Sequence, residues 1–265
     1  MLSTARELVT HRGLLAALTA RDLKARYRGS ALGFLWSLAN PLLLLAVYTF
    51  VFGVVFQQRA LTQPYPLFLL CGLFPWVWFA SALNEGTVAL AANSGLLRRA
   101  VFPVELLPTV PVLANLLHFL FALPVLAVAL AVGRLLGHPV GGWSALALPL
   151  VIALQLPMTG GLALGLAALH VHFKDVKDLL ANLLALLFFL TPILYPLQLI
   201  EIPALAYVVR VSPMTPFVLG YQELLFAGRL PGPGLWAQMA AAAAIAWVAG
   251  AGLFARLRET LVEAA

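Results

Sequence analysis

The sequence predicts an all-α integral membrane protein with six transmembrane helices. Hydrophobic residues make up 63% of the chain and charged residues 10%, whereas soluble domains have about 45–50% and about 25%. Six apolar runs approach or exceed the roughly 20 residues needed to cross a bilayer. The Lys and Arg residues cluster in short segments between these runs, a pattern typical of membrane topology. We therefore expect one transmembrane domain over residues 1–265 that contacts lipid and binds no nucleic acid.

The N-terminal segment, residues 3–20, is too polar to cross the membrane. Leu8, Leu15 and Leu18 can share one face of a helix, with polar residues on the rest of its surface. This pattern favours an interfacial helix on the inner leaflet. A loosely ordered tail is the alternative.

The first predicted span covers residues 31–56, and a dense group of cations precedes it. Arg21, Lys24, Arg26 and Arg28 fall within eight residues. Because cations near a span stay on the cytoplasmic side, this group sets the orientation of the first helix.

Five further spans follow, at 66–90, 106–133, 144–169, 179–199 and 235–255. With six crossings, twelve of the sixteen Lys and Arg residues fall on the cytoplasmic side. The opposite side holds Arg59, Arg134, Arg210 and Arg229. This bias predicts that both termini are cytoplasmic.

Between spans five and six, residues 200–233 contain apolar pieces too short to cross. Pro203, Pro213, Pro216 and Gly220 interrupt them. Short apolar helices of this kind suit a re-entrant structure, so we expect a helical hairpin that enters from the outer face.

The sequence lacks the common enzyme motifs. It has no G-x-x-x-x-G-K-[ST] phosphate loop, no G-x-S-x-G and no H-E-x-x-H. Cys71 is the only cysteine, and His170 and His172 point in different directions on a helix. We expect no catalytic residues, metal site or cofactor in this chain. If the protein does work against a gradient, the energy must come from another polypeptide or from an ion.

Ion-coupled carriers retain ionisable groups within the membrane, and here the candidates are Glu85 and His118. Glu85 lies toward the inner end of its run. His118, near Asn115, is better explained by a hydrogen bond between helices. A stand-alone carrier is thus the less favoured hypothesis, and an external motor is favoured.

The cytoplasmic segment 94–104 has a composition suited to binding a partner. Two Leu residues are followed by two Arg residues and then by Val101 and Phe102, an amphipathic pattern that ends where Pro103 stops the helix. Apolar side chains can face water where they insert into another protein. The alternative is an ordinary inner loop with positively charged residues.

Aromatic residues in the first two spans allow two interpretations. Tyr48, Phe52 and Phe56 recur at i, i+4 and i+8, so in an α-helix they form one stripe. We expect this stripe to line a channel, with helix packing or a bilayer-interface belt as the alternative. For Trp76 and Trp78 we expect the interface belt.

Four segments carry a resemblance to a known family. In chain order they read RDLKARYRGSALGFLWSLANPLLLLAVYTFVF, NSGLLRRAVFPVELLP, HFKDVKDLLANLLALLFFLTPILYP and SPMTPF. They resemble the permease subunits of bacterial ABC exporters, of the type-2 exporter superfamily, that move lipid-linked polysaccharides such as O-antigen and wall teichoic acid. The resemblance implies a homodimer in the bacterial cytoplasmic (inner) membrane. Each copy would be docked to a separate nucleotide-binding subunit, which binds ATP and Mg.

The resemblance also implies roles for particular residues. Residues 3–20 would be the interface helix. The helix that couples to the ATPase would contain Leu96, Leu97, Arg98, Arg99, Val101, Phe102 and Pro103. The polyprenyl diphosphate head group would bind to Arg21, Lys24, Arg26, Tyr27 and Arg28. The alternative is that these residues only fix topology and contact anionic lipid. An outer gate would comprise Ser212, Pro213, Thr215, Pro216 and Phe217; many relatives have Asn at the position of Ser212.

The function implied by the resemblance is export of a polyprenyl-diphosphate-linked polysaccharide, with O-antigen as the expected cargo. Teichoic acid, capsule, a drug or a lipid are alternative cargoes for the same machine. The alternatives from another class are a secondary carrier and an integral-membrane enzyme, each acting alone.

Overall fold

The computed structural model describes residues 2–29, 36–55, 63–97 and 103–264. Over these ranges the chain is helical and contains no strand. The helices are α1 (Leu2–Thr10), α2 (Arg12–Tyr27), α3 (Trp36–Tyr48), α4 (Tyr65–Ala92), α5 (Ser94–Leu97), α6 (Leu106–Leu135), α7 (Leu148–His172), α8 (Val176–Leu190), α9 (Pro203–Val211), α10 (Thr215–Tyr221) and α11 (Pro233–Ala264).

Among the described residues, four segments are long and apolar enough to cross a membrane: Tyr65–Ala92, Leu106–Leu135, Trp143–His172 and Pro233–Arg258. They coincide with the predicted spans 66–90, 106–133, 144–169 and 235–255. The helices at the other two predicted spans are less regular. α3 has 13 residues and continues into the 7-residue π-helical segment Thr49–Val55. α8 has 15 residues and ends just before Pro192.

The centre of the bundle is α4, which packs against α6 and α7. The indole of Trp78 stacks on Phe119, with ring centroids 5.4 Å apart, and its Nε1 donates to the Val112 carbonyl at 3.3 Å. Trp76 and Trp78 are 5% and 2% exposed. The interface-belt prediction for these two residues is therefore wrong. Neighbouring helices shield both rings, and a carbonyl within the bundle satisfies the Trp78 N–H.

α7 and α11 approach each other through glycines. A Cβ at Gly250 would overlap the carbonyl oxygen of Gly161, and one at Gly165 would lie 3.0 Å from the Gly250 Cα. Small residues let helix backbones come this close, which is the usual way in which membrane helices pack.

The chain between α8 and α11 forms a helix pair. α9 is largely exposed, whereas α10 is buried against α4, α7 and α11. The Thr215 hydroxyl donates to the Val209 carbonyl at 2.6 Å and so connects the two helices across their turn. Beyond α10, Gln222 Nε2 donates to the Pro192 carbonyl at 2.8 Å.

The bundle has two distinct ends, which we call the α2 end and the hairpin end. At the hairpin end, Phe68 near the start of α4 meets Phe226, which follows α10, with ring centroids 5.6 Å apart. At the α2 end, Glu85 near the end of α4 meets Arg26 of α2. The last part of α11 also lies at the α2 end, where Arg258 Nη1 is 2.9 Å from Glu105 Oε1.

Candidate functional site

The candidate site is the junction of α2 with α4 and α6. α2 extends seven residues beyond the predicted segment, to Tyr27, because the sequence contains no helix breaker before Gly29, whose φ is +80°. The cations that were expected to precede the first span are therefore part of this helix. Its earlier turns contact α6, where Leu15 is buried against Leu106 and Val110.

Arg26 is the centre of a polar network at this junction. Its Nη1 donates to Glu85 Oε1 at 2.8 Å, its Nη2 pairs with Glu85 Oε2, and its Nε donates to Asp22 Oδ2 at 2.7 Å. Two parallel bonds from a guanidinium to one carboxylate give both strength and a fixed orientation. Burial opposes the charge of Arg26, but the bonds to Glu85 and Asp22 outweigh it and raise the pKa of the guanidinium.

α6 completes the network with Asn115 and His118. Asn115, 5% exposed, donates from Nδ2 to Glu85 Oε2 at 2.8 Å and to the Pro111 carbonyl at 2.9 Å. His118 Nε2 lies 2.6 Å from the Tyr27 hydroxyl. The prediction that His118 makes a hydrogen bond between helices is confirmed.

The opposite face of α2 presents cations to the surroundings. Arg21, Lys24 and Arg28 follow at i, i+3 and i+7, so they lie along one side of the helix. All three are exposed, and none forms an ion pair with another described residue.

An open cleft of about 520 Å³ runs between α2 and α6, and we call it the α2 groove. Its lining residues are Leu23, Lys24, Tyr27, Arg28 and Phe121. Phe121 is 55% exposed. The groove thus places two cations beside apolar surface, which is a combination that suits an amphiphilic anion.

The predicted head-group residues thus divide between two faces of α2. Arg26 points inward to Glu85 and Asp22, Tyr27 bonds to His118, and the remaining three cations are exposed. One signal of this division is present in the sequence, because Asp22 and Arg26 stand at the i, i+4 spacing of a helical ion pair.

The predicted channel stripe is only partly described. The ring of Tyr48 stacks on Phe188 of α8, with centroids 5.6 Å apart and planes 30° apart. Residues 49–55 are π-helical, so the α-helical spacing on which the stripe was predicted does not hold along this segment. The side chain of Phe52 and all of Phe56 lie outside the described residues.

The predicted coupling segment begins in α5, which follows α4 after a one-residue break. The side chains of Leu96 and Leu97, and the residues Arg98, Arg99, Val101 and Phe102, lie outside the described part of the chain. Pro103 is half-buried. Two residues after it, Glu105 is buried and pairs with Arg258.

The predicted gate residues lie at the hairpin end, at the turn between α9 and α10. Ser212, Thr215, Pro216 and Phe217 are buried, and Pro213 is half-buried. They occupy the start of α10, where it packs into the bundle.

Apolar helices long enough to cross a bilayer, with a cluster of charged groups at one end, define a multi-pass membrane protein. Residues 13–226 match the family described as ABC-2 type transporter, and the chain belongs to this family. It is a transport subunit, and ATP hydrolysis belongs to a separate subunit.

Curated relatives include two kinds of polysaccharide transporter. The chain is 38% identical to the O-antigen export system permease protein RfbA of Myxococcus xanthus, over 99% of both chains. It is 34% identical to the RfbA protein of Klebsiella pneumoniae over 82% of each chain. It is 27% identical to the polysialic acid transport protein KpsM of Escherichia coli over 69% of each.

Proposed function

We propose that this chain is the membrane subunit of an ATP-driven exporter that moves a polyprenyl-diphosphate-linked O-antigen across the bacterial cytoplasmic membrane. The observation that carries the proposal is the 38% identity over 99% of both chains with an O-antigen export permease. The more distant similarity to a polysialic acid transporter makes capsular polysaccharide the second candidate cargo.

The proposed topology has six spans with both termini in the cytoplasm. α3 and its π-helical continuation together extend about 30 Å, enough for a hydrocarbon core. α8 is shorter, about 22 Å, and two buried residues, Ile193 and Leu194, follow it closely in the chain. The cations of α2 and the end of α11 lie at the same end of the bundle, which supports a cytoplasmic α2 end.

At the other end, α9 and α10 form the proposed re-entrant hairpin and outer gate. Gln222 and Val218 reach the level of Gly72, about 10 Å along α4 from its start at Tyr65. A helix pair that returns within the depth of a spanning helix supports re-entry from the outer face. Ser212, Pro213, Thr215, Pro216 and Phe217 would form the gate there.

The α2 groove is the proposed site of the lipid head group. Lys24 and Arg28 would bind the diphosphate, with Arg21 adjacent on the same face, and Leu23 with Phe121 would contact the first prenyl units. Arg side chains suit this task because their planar forks bind phosphate oxygens in pairs.

A second copy of the chain would complete the path for the glycan. α8 presents an exposed apolar stripe formed by Leu179, Leu183, Leu186 and Phe189. Their helical spacing and exposure suit contact with another protein in the membrane, although lipid also covers such faces. Tyr48, Phe52 and Phe56 would line the channel between the copies.

The ATPase would bind to the segment 94–104, which contains Leu96, Leu97, Arg98, Arg99, Val101, Phe102 and Pro103. ATP and Mg would be bound by that partner. The segment would transmit movement to α4 before it and to α6 after it, because both helices adjoin it in the chain.

Deletion of the gene from its host tests the proposal directly. We expect loss of surface O-antigen and accumulation of the polyprenyl-diphosphate-linked glycan in the cytoplasmic leaflet, with both restored by the wild-type gene. Loss of capsule with normal O-antigen would assign the second cargo instead. Unchanged surface glycans of both kinds would contradict the proposal.

A further inference from the structure

The two faces of α2 differ in what they contact. The inward face holds Asp22 and Arg26, and Arg26 donates to both Asp22 and Glu85, whereas Lys24 and Arg28 of the α2 groove are exposed. A rotation of α2 by one residue, about 100°, would change which side chains face the groove. The contacts of Arg26 therefore determine where the exposed cations stand.

We propose that Arg26, Glu85 and Asn115 form a latch that holds α2 in register with α4 and α6 and so makes movement of α4 reposition the α2 groove. In this role Arg26, Glu85 and Asn115 are all positioning residues for export. Arg26 is then not a ligand of the head group. The inference rests on the proposed function for what the groove binds.

The bonding of Arg26 supports this assignment. Three of its five N–H donors are used on two carboxylates. Glu85 is in turn held by the Asn115 amide at 2.8 Å. A guanidinium flanked by two carboxylates has its charge compensated and presents few donors to an approaching diphosphate.

The position of Glu85 connects the latch to the coupling segment. Glu85 lies seven residues before the end of α4 at Ala92, about 10 Å along the helix, and α5 begins two residues later at Ser94. Because a helix of this length is stiff, a displacement at α5 would move Glu85, and the bidentate contact would carry α2 with it. The Tyr27–His118 bond gives α2 a second contact, in this case to α6.

A charge-exchange experiment tests the latch. Arg26→Glu and Glu85→Arg are made singly and together in the complex with its ATPase, and export is measured with protein level and ATPase co-purification. We expect each single variant to reduce export about tenfold or more, and the double variant to recover most of it, because the exchanged pair can re-form. The matched control is the pair Arg229 and Glu223, in which Arg229 is exposed and Glu223 is half-buried, and exchange of these two residues should leave export unchanged.

The outcome distinguishes the latch from the head-group proposal. If the double variant exports as poorly as either single variant, the latch proposal is wrong and Arg26 is again assigned to the head-group site. Lys24→Glu combined with Glu85→Arg should not recover export, since Lys24 does not contact Glu85. If Lys24→Gln and Arg28→Gln together export normally, the head-group proposal fails while the latch is still tested by the exchange.

Milder substitutions keep the test available if a reversed charge prevents folding. Arg26→Gln and Glu85→Gln each remove the ion pair while preserving polarity. We expect the double variant to export no worse than the poorer single one, because both remove the same contact. Losses that multiply in the double variant would show independent roles and would overturn the proposal.

Discussion

Glu105 is the one acidic residue buried among the described residues, at 1% exposure. It directly follows the segment proposed to bind the ATPase, and its Oε1 lies 2.9 Å from Arg258 Nη1. A buried carboxylate is stable as an ion only while it is paired, so this contact fixes the last part of α11 against the start of α6.

Removal of Arg258 should therefore destabilise the protein. We expect Arg258→Ala to cost about 1–3 kcal/mol, because the Glu105 carboxylate is left buried without its partner. Thermal unfolding in detergent measures the loss, with Arg256→Ala, an exposed neighbour, as the control. Adding Glu105→Met to Arg258→Ala should recover stability by removing the unpaired charge. Equal effects of the Arg256 and Arg258 variants would contradict this account.

At the residue scale, the sequence identified several polar residues of the junction but not their partners. It predicted that His118 bonds to another helix, yet its partner Tyr27 is 91 residues away. Arg26 and Glu85 are 59 residues apart. Contacts of this range depend on how the helices pack, which local spacing does not determine.

Among the elements, α7 and α11 make the closest contact. Their backbones meet where Gly161 and Gly165 face Gly250, and a side chain at Gly250 has no room. Dispersion contacts at such short range are the main attraction between helices in lipid.

Gly250→Ala should separate these two helices. We expect a cost of about 1–3 kcal/mol from overpacking, measured as a lower unfolding temperature in detergent. Gly234 provides the matched control on the same helix, since a Cβ there meets nothing within 4 Å. Gly234→Ala should be neutral or slightly stabilising because Ala favours the helix. A Gly250→Ala protein as stable as the wild type would mean that the helices are not in this contact.

The helices themselves were largely predictable from hydrophobicity, but their ends and faces were not. α2 continues to Tyr27, beyond the predicted end at residue 20, because nothing in the sequence between residue 20 and Gly29 breaks the helix. Residue type predicts that Trp76 and Trp78 lie at the bilayer interface. In the structure, packing against Phe119 and its neighbours buries them inside the bundle instead.

For the whole molecule, the arrangement places the two proposed functional regions at opposite ends. Charged and polar groups of α2, α4, α6 and α11 gather at one end. The buried turn of the α9–α10 pair occupies the other. This separation suits an exporter in which a partner acts on one side and the cargo leaves on the other. The sequence predicted this polarity from its distribution of cations, whereas the proposed contact between two copies depends on exposed faces such as that of α8.

The central claim is that this chain forms a path for a lipid-linked glycan and that a separate ATPase drives it. The most direct measurement is transport of a labelled polyprenyl-diphosphate glycan into proteoliposomes containing the chain alone, the ATPase alone, or both. We predict transport only with both subunits and hydrolysable ATP. Transport by the chain alone, with an ion gradient or with ATP, would contradict the account.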